Sequence, residues 1–198
     1  MKIEAKQINE WVLRAYDNAV KHGWHKEEKS NAHWLMMVLT EVAEAVQADR
    51  KGAYMDDLDK EGLVTVLAND HGGGLFEKYY SDTIENKVES ELADICIRIF
   101  DFMGVRNVVV KNGIETFETE VSYLRQHLFT EDAMLINLNI SKCDVAITNL
   151  GALAVMCNSA LVSVFEWAEA LNIDLVQHIS LKMRYNESRE YLHVNKLY

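Results

Sequence analysis

Residues 39–52 read LTEVAEAVQADRKG. Leu39, Val42 and Val46 recur at helical spacing, and Glu41 and Glu44 stand one turn apart on a neighbouring face. Arg50 and Lys51 ahead of Gly52 make the cationic, glycine-closed end of a helix. A second stretch, residues 89–104, reads ESELADICIRIFDFMG and repeats the acid spacing with Glu91 and Asp94. Two carboxylates at i and i+3 leave a helix on one face, their Cβ atoms roughly 5–6 Å apart. Two such pairs on facing helices bring the oxygens of four carboxylates around one small volume.

Working outward, the second stretch lies in a helix predicted from about Thr83 or Ile84 to Met103. It is apolar around most of its circumference, through Val88, Leu92, Ala93, Ile95, Cys96, Ile99, Phe100 and Phe102. A helix of that kind is buried. Its one polar stripe is Glu91, Asp94, Arg98 and Asp101. Buried charge without partners costs several kcal/mol, so the stripe requires cations, from side chains or from metal. Oxygen-only ligands suit Mg²⁺, with Mn²⁺ as a substitute. Zinc would want His or Cys, and the Glu-x-x-His of di-iron bundles follows neither Glu44 nor Asp94.

The chain has 198 residues and no proline, which predicts one mainly helical domain, an antiparallel bundle. A first helix is expected over residues 4–22, ended by Gly23, with His22 and His25 in a solvated loop. The helix carrying Glu41 starts at Ser30 or Asn31, with His33, Trp34 and Met37 one or two turns before the acids. Residues 53–86 are the least regular, with a short helix over 63–67 and a flexible Asp70-His71-Gly72-Gly73-Gly74 loop that lacks the ending of a phosphate-binding P-loop. Ile114 to Leu128 fits another helix, Thr130 to Asp132 a helix start, and 141–171 a long helix broken near Gly151. Glu166 and Glu169 read as a solvated pair. A last helix from Asn172 or Asp174 to Arg189 sets Lys182, Asn186 and Arg189 on one face, followed by a tail with Tyr191, His193, Asn195, Lys196 and Tyr198.

The net charge of −11 argues against a nucleic acid polymer as partner but leaves room for a nucleotide held through metal. Cys96, Cys143 and Cys157 have no CxxC spacing and read as reduced core thiols. No apolar signal segment and no run approaching membrane-spanning length is evident, so the expectation is a soluble, cytoplasmic protein with no membrane association.

Glu41-x-x-Glu44, Glu91-x-x-Asp94 and Lys182-x-x-x-Asn186-x-x-Arg189 together resemble the all-α nucleoside triphosphate pyrophosphohydrolases, the MazG-like superfamily. The resemblance covers roughly residues 28–104 and 170–198. It departs from the family where Thr40 stands in place of a first acid, where His193-Val194-Asn195-Lys196 lacks the usual glycine, and where residues 105–169 form an insertion. The resemblance implies Mg²⁺-dependent hydrolysis of an ordinary or damaged nucleoside triphosphate to the monophosphate and pyrophosphate, a pool-cleansing role, and a homodimer or higher homo-oligomer. Glu41, Glu44, Glu91 and Asp94 would hold the metal, and Glu41 would orient or deprotonate the attacking water. Lys182, Asn186 and Arg189 would bind phosphates, and His33 and Trp34, with Met37, would meet the base. Arg98 and Asp101 either hold the acids in position or form a salt bridge within their helix. Two other readings stay open: a non-catalytic regulatory or assembly bundle that keeps the metal-binding fold, and a carboxylate-bridged redox metal protein.

Overall fold

The computed structural model describes residues 1–145 and 148–190. The chain is mostly helical. Among the described residues it forms α1 (Ala5–Lys21), α2 (Asn31–Arg50), α3 (Asp57–Asn69), α4 (Leu75–Tyr79), α5 (Val88–Val105), α6 (Glu118–Leu124), α7 (Phe129–Val145), α8 (Leu150–Ala170) and α9 (Leu175–Ser188). A two-residue strand β1 (Lys2–Ile3) pairs antiparallel with β2 (Ile114–Glu115).

The helix starts follow capping chemistry. Ser30 Oγ accepts from the His33 amide at α2, Asn149 from Ala152 at α8, and Asp174 from Gln177 at α9. Asp56 and Asp59 form a reciprocal capping box at α3. That box makes α3 longer than the short helix expected from its apolar residues alone. The helix carrying Glu91 starts at Val88, later than expected, because a π-helical turn, Tyr80–Ile84, intervenes. The expected break near Gly151 falls earlier, since Gly151 is already in the first turn of α8. Ile114 belongs to a strand rather than a helix: Ile3 pairs with it.

α5 is the central element. Leu92, Ala93, Ile95, Cys96 and Phe100 are fully buried, with α1, α2, α8 and α9 packed around them. α1 comes close enough that a Cβ on Gly104 would fall 2.5 Å from Tyr16 Cβ. Trp11 of α1 stacks near Phe165 of α8, ring centroids 6.4 Å apart. The described residues between 105 and 169 pack into the main core. Ala133, Ile136, Leu153, Leu161, Phe165 and Trp167 join the same core as α1, α2 and α5, and α7 packs along α2.

Two further expectations change. α8 is long and apolar enough to cross a membrane by length and composition, unlike any run foreseen in the sequence. In this fold its Leu153, Cys157, Leu161, Val164 and Phe165 are fully buried in the core. Glu166 and Glu169 are not a solvated pair: Glu166 is buried, its carboxyl raised above the ordinary value by that burial, and Glu169 accepts from Thr116 Oγ1.

Candidate metal and phosphate site

α2 and α5 cross with opposite chain directions. The start of α2 meets the end of α5, where Trp34 stacks on His25 (4.8 Å) and His25 Nε2 donates to Asp101 Oδ1 (2.8 Å). Further along the crossing, Arg98 Nε, one turn past Asp94, donates to Glu41 Oε1 at 2.9 Å. Glu41, Glu91 and Asp94 then bring ligand oxygens within 4.8 Å of one another. The two helical pairs thus converge as their spacing requires, with one difference. Glu44 is exposed, and it lines the cavity without joining the cluster of three.

The acids open onto a cavity of about 380 Å³. Lys182 and Asn186 of α9, with Arg189 at its C-cap, line the same cavity. Lys182 is almost wholly buried, with Nζ 2.7 Å from Asp94 Oδ2 and 3.1 Å from Ser90 Oγ. The same ammonium lies 5.7 Å and 5.8 Å from the ring centroids of Tyr80 and Tyr185. Arg189 stands 3.6 Å from Glu85 Oε1, and Tyr185 donates its hydroxyl to Glu85 Oε2 at 3.0 Å. Asn186 Oδ1 is buried and has no hydrogen-bond partner among the described residues.

The electrostatics follow from this packing. Burial, and then the neighbouring Asp94 charge, push the Glu91 carboxyl up to about 8. Burial and Asp94 also raise Glu41, while Arg98 opposes them. Acids outnumber cations in the cavity lining, where Glu41, Glu44, Glu85, Glu91, Asp94 and Asp101 stand with Arg98, Lys182 and Arg189. The donors are all carboxylate oxygens, the set preferred by Mg²⁺ and Mn²⁺. No histidine or cysteine belongs to the cluster of three, so zinc and di-iron ligation find no support there. The residues fit a hard divalent cation, whose identity they do not fix.

Arg98 and Asp101 are not paired with each other within their helix. Arg98 reaches across to Glu41, and Asp101 reaches His25. His33 and Trp34 sit apart from the cavity wall: Trp34 is buried, with its ring against His25 and His33. Met37 does line the cavity. Ala15, Asn18 and Ala19 of α1, Trp24 after α1, and Ile97 of α5 line it as well. Only their spacing could have shown this. Ala15, Asn18 and Ala19 share one face of α1 at i, i+3 and i+4.

His22 and His25 are also anchors rather than loop residues in solvent. His22 is buried, its ring nitrogens 2.8 Å from the carbonyl oxygens of Asn18 and Arg189. Asp70, in the glycine-rich loop, pairs with Arg184 of α9. The tail residues Tyr191, His193, Asn195, Lys196 and Tyr198 lie outside the described residues. No family model, curated protein or solved structure matches this chain.

Proposed function

We propose that the protein is a Mg²⁺-dependent nucleoside triphosphate pyrophosphohydrolase, as the MazG-like resemblance implies. The observation that carries this is the cluster of Glu41, Glu91 and Asp94 lining one cavity together with Lys182, Asn186 and Arg189. Acids that gather metal and cations that receive phosphate are the two halves of a phosphoryl-transfer site. Glu41, Glu91 and Asp94 would hold the ion, with Glu44 in the same cavity lining as a further carboxylate. The ion supplies positive charge against the triphosphate and acidifies water within its reach.

The protein's own groups do the rest. Glu41 orients the attacking water and takes its proton, its basicity raised by burial and its position fixed by Arg98. The water oxygen attacks the α-phosphorus in line, and the bond to the bridging oxygen of pyrophosphate breaks. Lys182 and Arg189 receive the charge that develops on the leaving pyrophosphate, and Asn186 pairs with its oxygens through the amide. The base rests at the far side of the cavity against Ala15, Ala19, Met37, Ile97 and Trp24, with the Asn18 amide within that wall.

A non-catalytic reading has one observation in its favour. Arg98–Glu41 and Lys182–Asp94 already satisfy two of the acids by themselves. Pyrophosphate release from a panel of ordinary and damaged triphosphates separates the readings. The enzyme reading requires release with Mg²⁺ or Mn²⁺ that Asp94→Asn abolishes; absence of release from every nucleotide leaves the structural role.

A further inference from the structure

Both cations assigned to phosphate, Lys182 of α9 and Arg189 at its C-cap, are held by carboxylates that line the same cavity. Lys182 Nζ is 2.7 Å from Asp94 Oδ2, and Arg189 is 3.6 Å from Glu85 Oε1. Lys182 is the tighter case. Its ammonium is buried, takes a second contact at 3.1 Å from Ser90 Oγ, and faces the rings of Tyr80 and Tyr185. Ser90 is itself fixed, since its Oγ accepts from the Tyr80 hydroxyl at 3.1 Å. Lys182 is therefore not a free arm waiting for phosphate. It is the counter-ion of one of the three clustered acids.

We propose that Lys182 is an exchangeable counter-ion that makes cation binding and phosphate binding depend on each other. This rests on the pyrophosphohydrolase reading of the same site. A divalent ion among Glu41, Glu91 and Asp94 takes over the Asp94 carboxylate and repels the ammonium beside it. A buried ammonium stripped of its partner is costly. Phosphate oxygens entering the cavity replace the carboxylate as that partner. Phosphate alone meets a lysine already engaged and a wall of acids. Metal alone strands the lysine. The two together satisfy every charge, and the coupling is the same in either direction, because binding free energies are linked reciprocally. Arg189 is held separately by Glu85, whose other oxygen accepts from the Tyr185 hydroxyl.

The test is binding, not turnover. Mn²⁺ affinity is measured by calorimetry with and without inorganic pyrophosphate, corrected for the Mn²⁺–pyrophosphate complex in free solution. In the wild-type protein pyrophosphate should tighten Mn²⁺ by about tenfold or more, within the usual range of coupling between sites. Lys182→Met should bind Mn²⁺ alone more tightly than wild type and lose most of the coupling. Ser90→Ala keeps the charge but loosens the hold on Nζ; it should tighten Mn²⁺ alone by up to about tenfold, the worth of a hydrogen bond to a charged group. Ser90→Ala covers the case in which Lys182→Met fails to fold. Unchanged coupling in Lys182→Met, or Mn²⁺ binding alone that is no tighter in Ser90→Ala, overturns the exchange. Pyrophosphate release is scored separately. Release with unchanged coupling sinks the exchange alone, and its absence from all nucleotides sinks the enzymatic reading.

Discussion

Arg98 of α5 donates through Nε to Glu41 of α2 at 2.9 Å, and this pair joins the two acid-bearing helices directly above the cluster. Glu41 is buried, and Asp94 pushes its carboxyl upward; Arg98 is the group that opposes both. Arg98→Gln should raise the pH at which Glu41 loses its proton. The pH–rate profile for pyrophosphate release should therefore move to higher pH on its acid side. Loss of the charged hydrogen bond should cost about 2 kcal/mol of stability, read by urea denaturation. An unshifted profile would detach Glu41 from the proton transfer.

Asp94 and Lys182 give a second contrast with Glu44. Asp94→Asn leaves a buried ammonium without its counter-ion, a loss of about 3–5 kcal/mol. Glu44→Gln alters an exposed side chain and should change stability by less than about 0.5 kcal/mol. Both should reduce metal-dependent activity. Restoration of stability in Asp94→Asn combined with Lys182→Met, relative to Asp94→Asn alone, would show that the stranded charge is the cause. Equal stability losses in the two single variants would contradict the burial described for Lys182.

The acid pairs and the α9 cations were legible because each rests on spacing along one helix. Period alone puts Glu91, Asp94, Arg98 and Asp101 on one face, and the apolar remainder of α5 shows that the face is buried. What spacing cannot give is partnership between helices. That Arg98 would choose Glu41, Lys182 Asp94, and Asp101 His25 depends on crossing geometry. The same limit hid the far wall of the cavity. Trp34 is nearer the acids in sequence than Trp24, yet it packs inward on His25 while Trp24 lines the cavity. The β1–β2 pairing was illegible for another reason: two-residue strands carry no period.

The pH dependence of the metal-free protein has a defined sign. Glu91 is pushed up to about 8, so the folded state holds a proton that the unfolded chain has already released above its ordinary range. That contribution is fully present at low pH and is lost as pH rises through about 8. His178 acts at the other end. Burial lowers its imidazole to about 4, so the unfolded chain takes up a proton first, and stability falls as pH drops from roughly 6.5 toward 4. Melting temperatures recorded with a chelator should therefore decline on both sides. Glu91→Gln should flatten the alkaline limb and His178→Gln the acidic one.

Metal should stabilise by mass action. At one hundred times its dissociation constant, Mg²⁺ adds about 2.7 kcal/mol, equivalent to about 5–10 °C in a chain of this size. Glu91→Gln and Asp94→Asn should lose that increment. His33→Ala should keep it, since His33 lies off the cavity wall. A shift that survives in both acid variants would place the ion elsewhere.

The most direct test of the account is pyrophosphate release by purified protein across ordinary and damaged triphosphates, with Mg²⁺, with Mn²⁺ and with chelator. The account predicts release of pyrophosphate and the monophosphate from at least one nucleotide, strictly dependent on divalent ion and lost in Asp94→Asn. No release from any nucleotide with either ion, or release undiminished by Asp94→Asn, would contradict it.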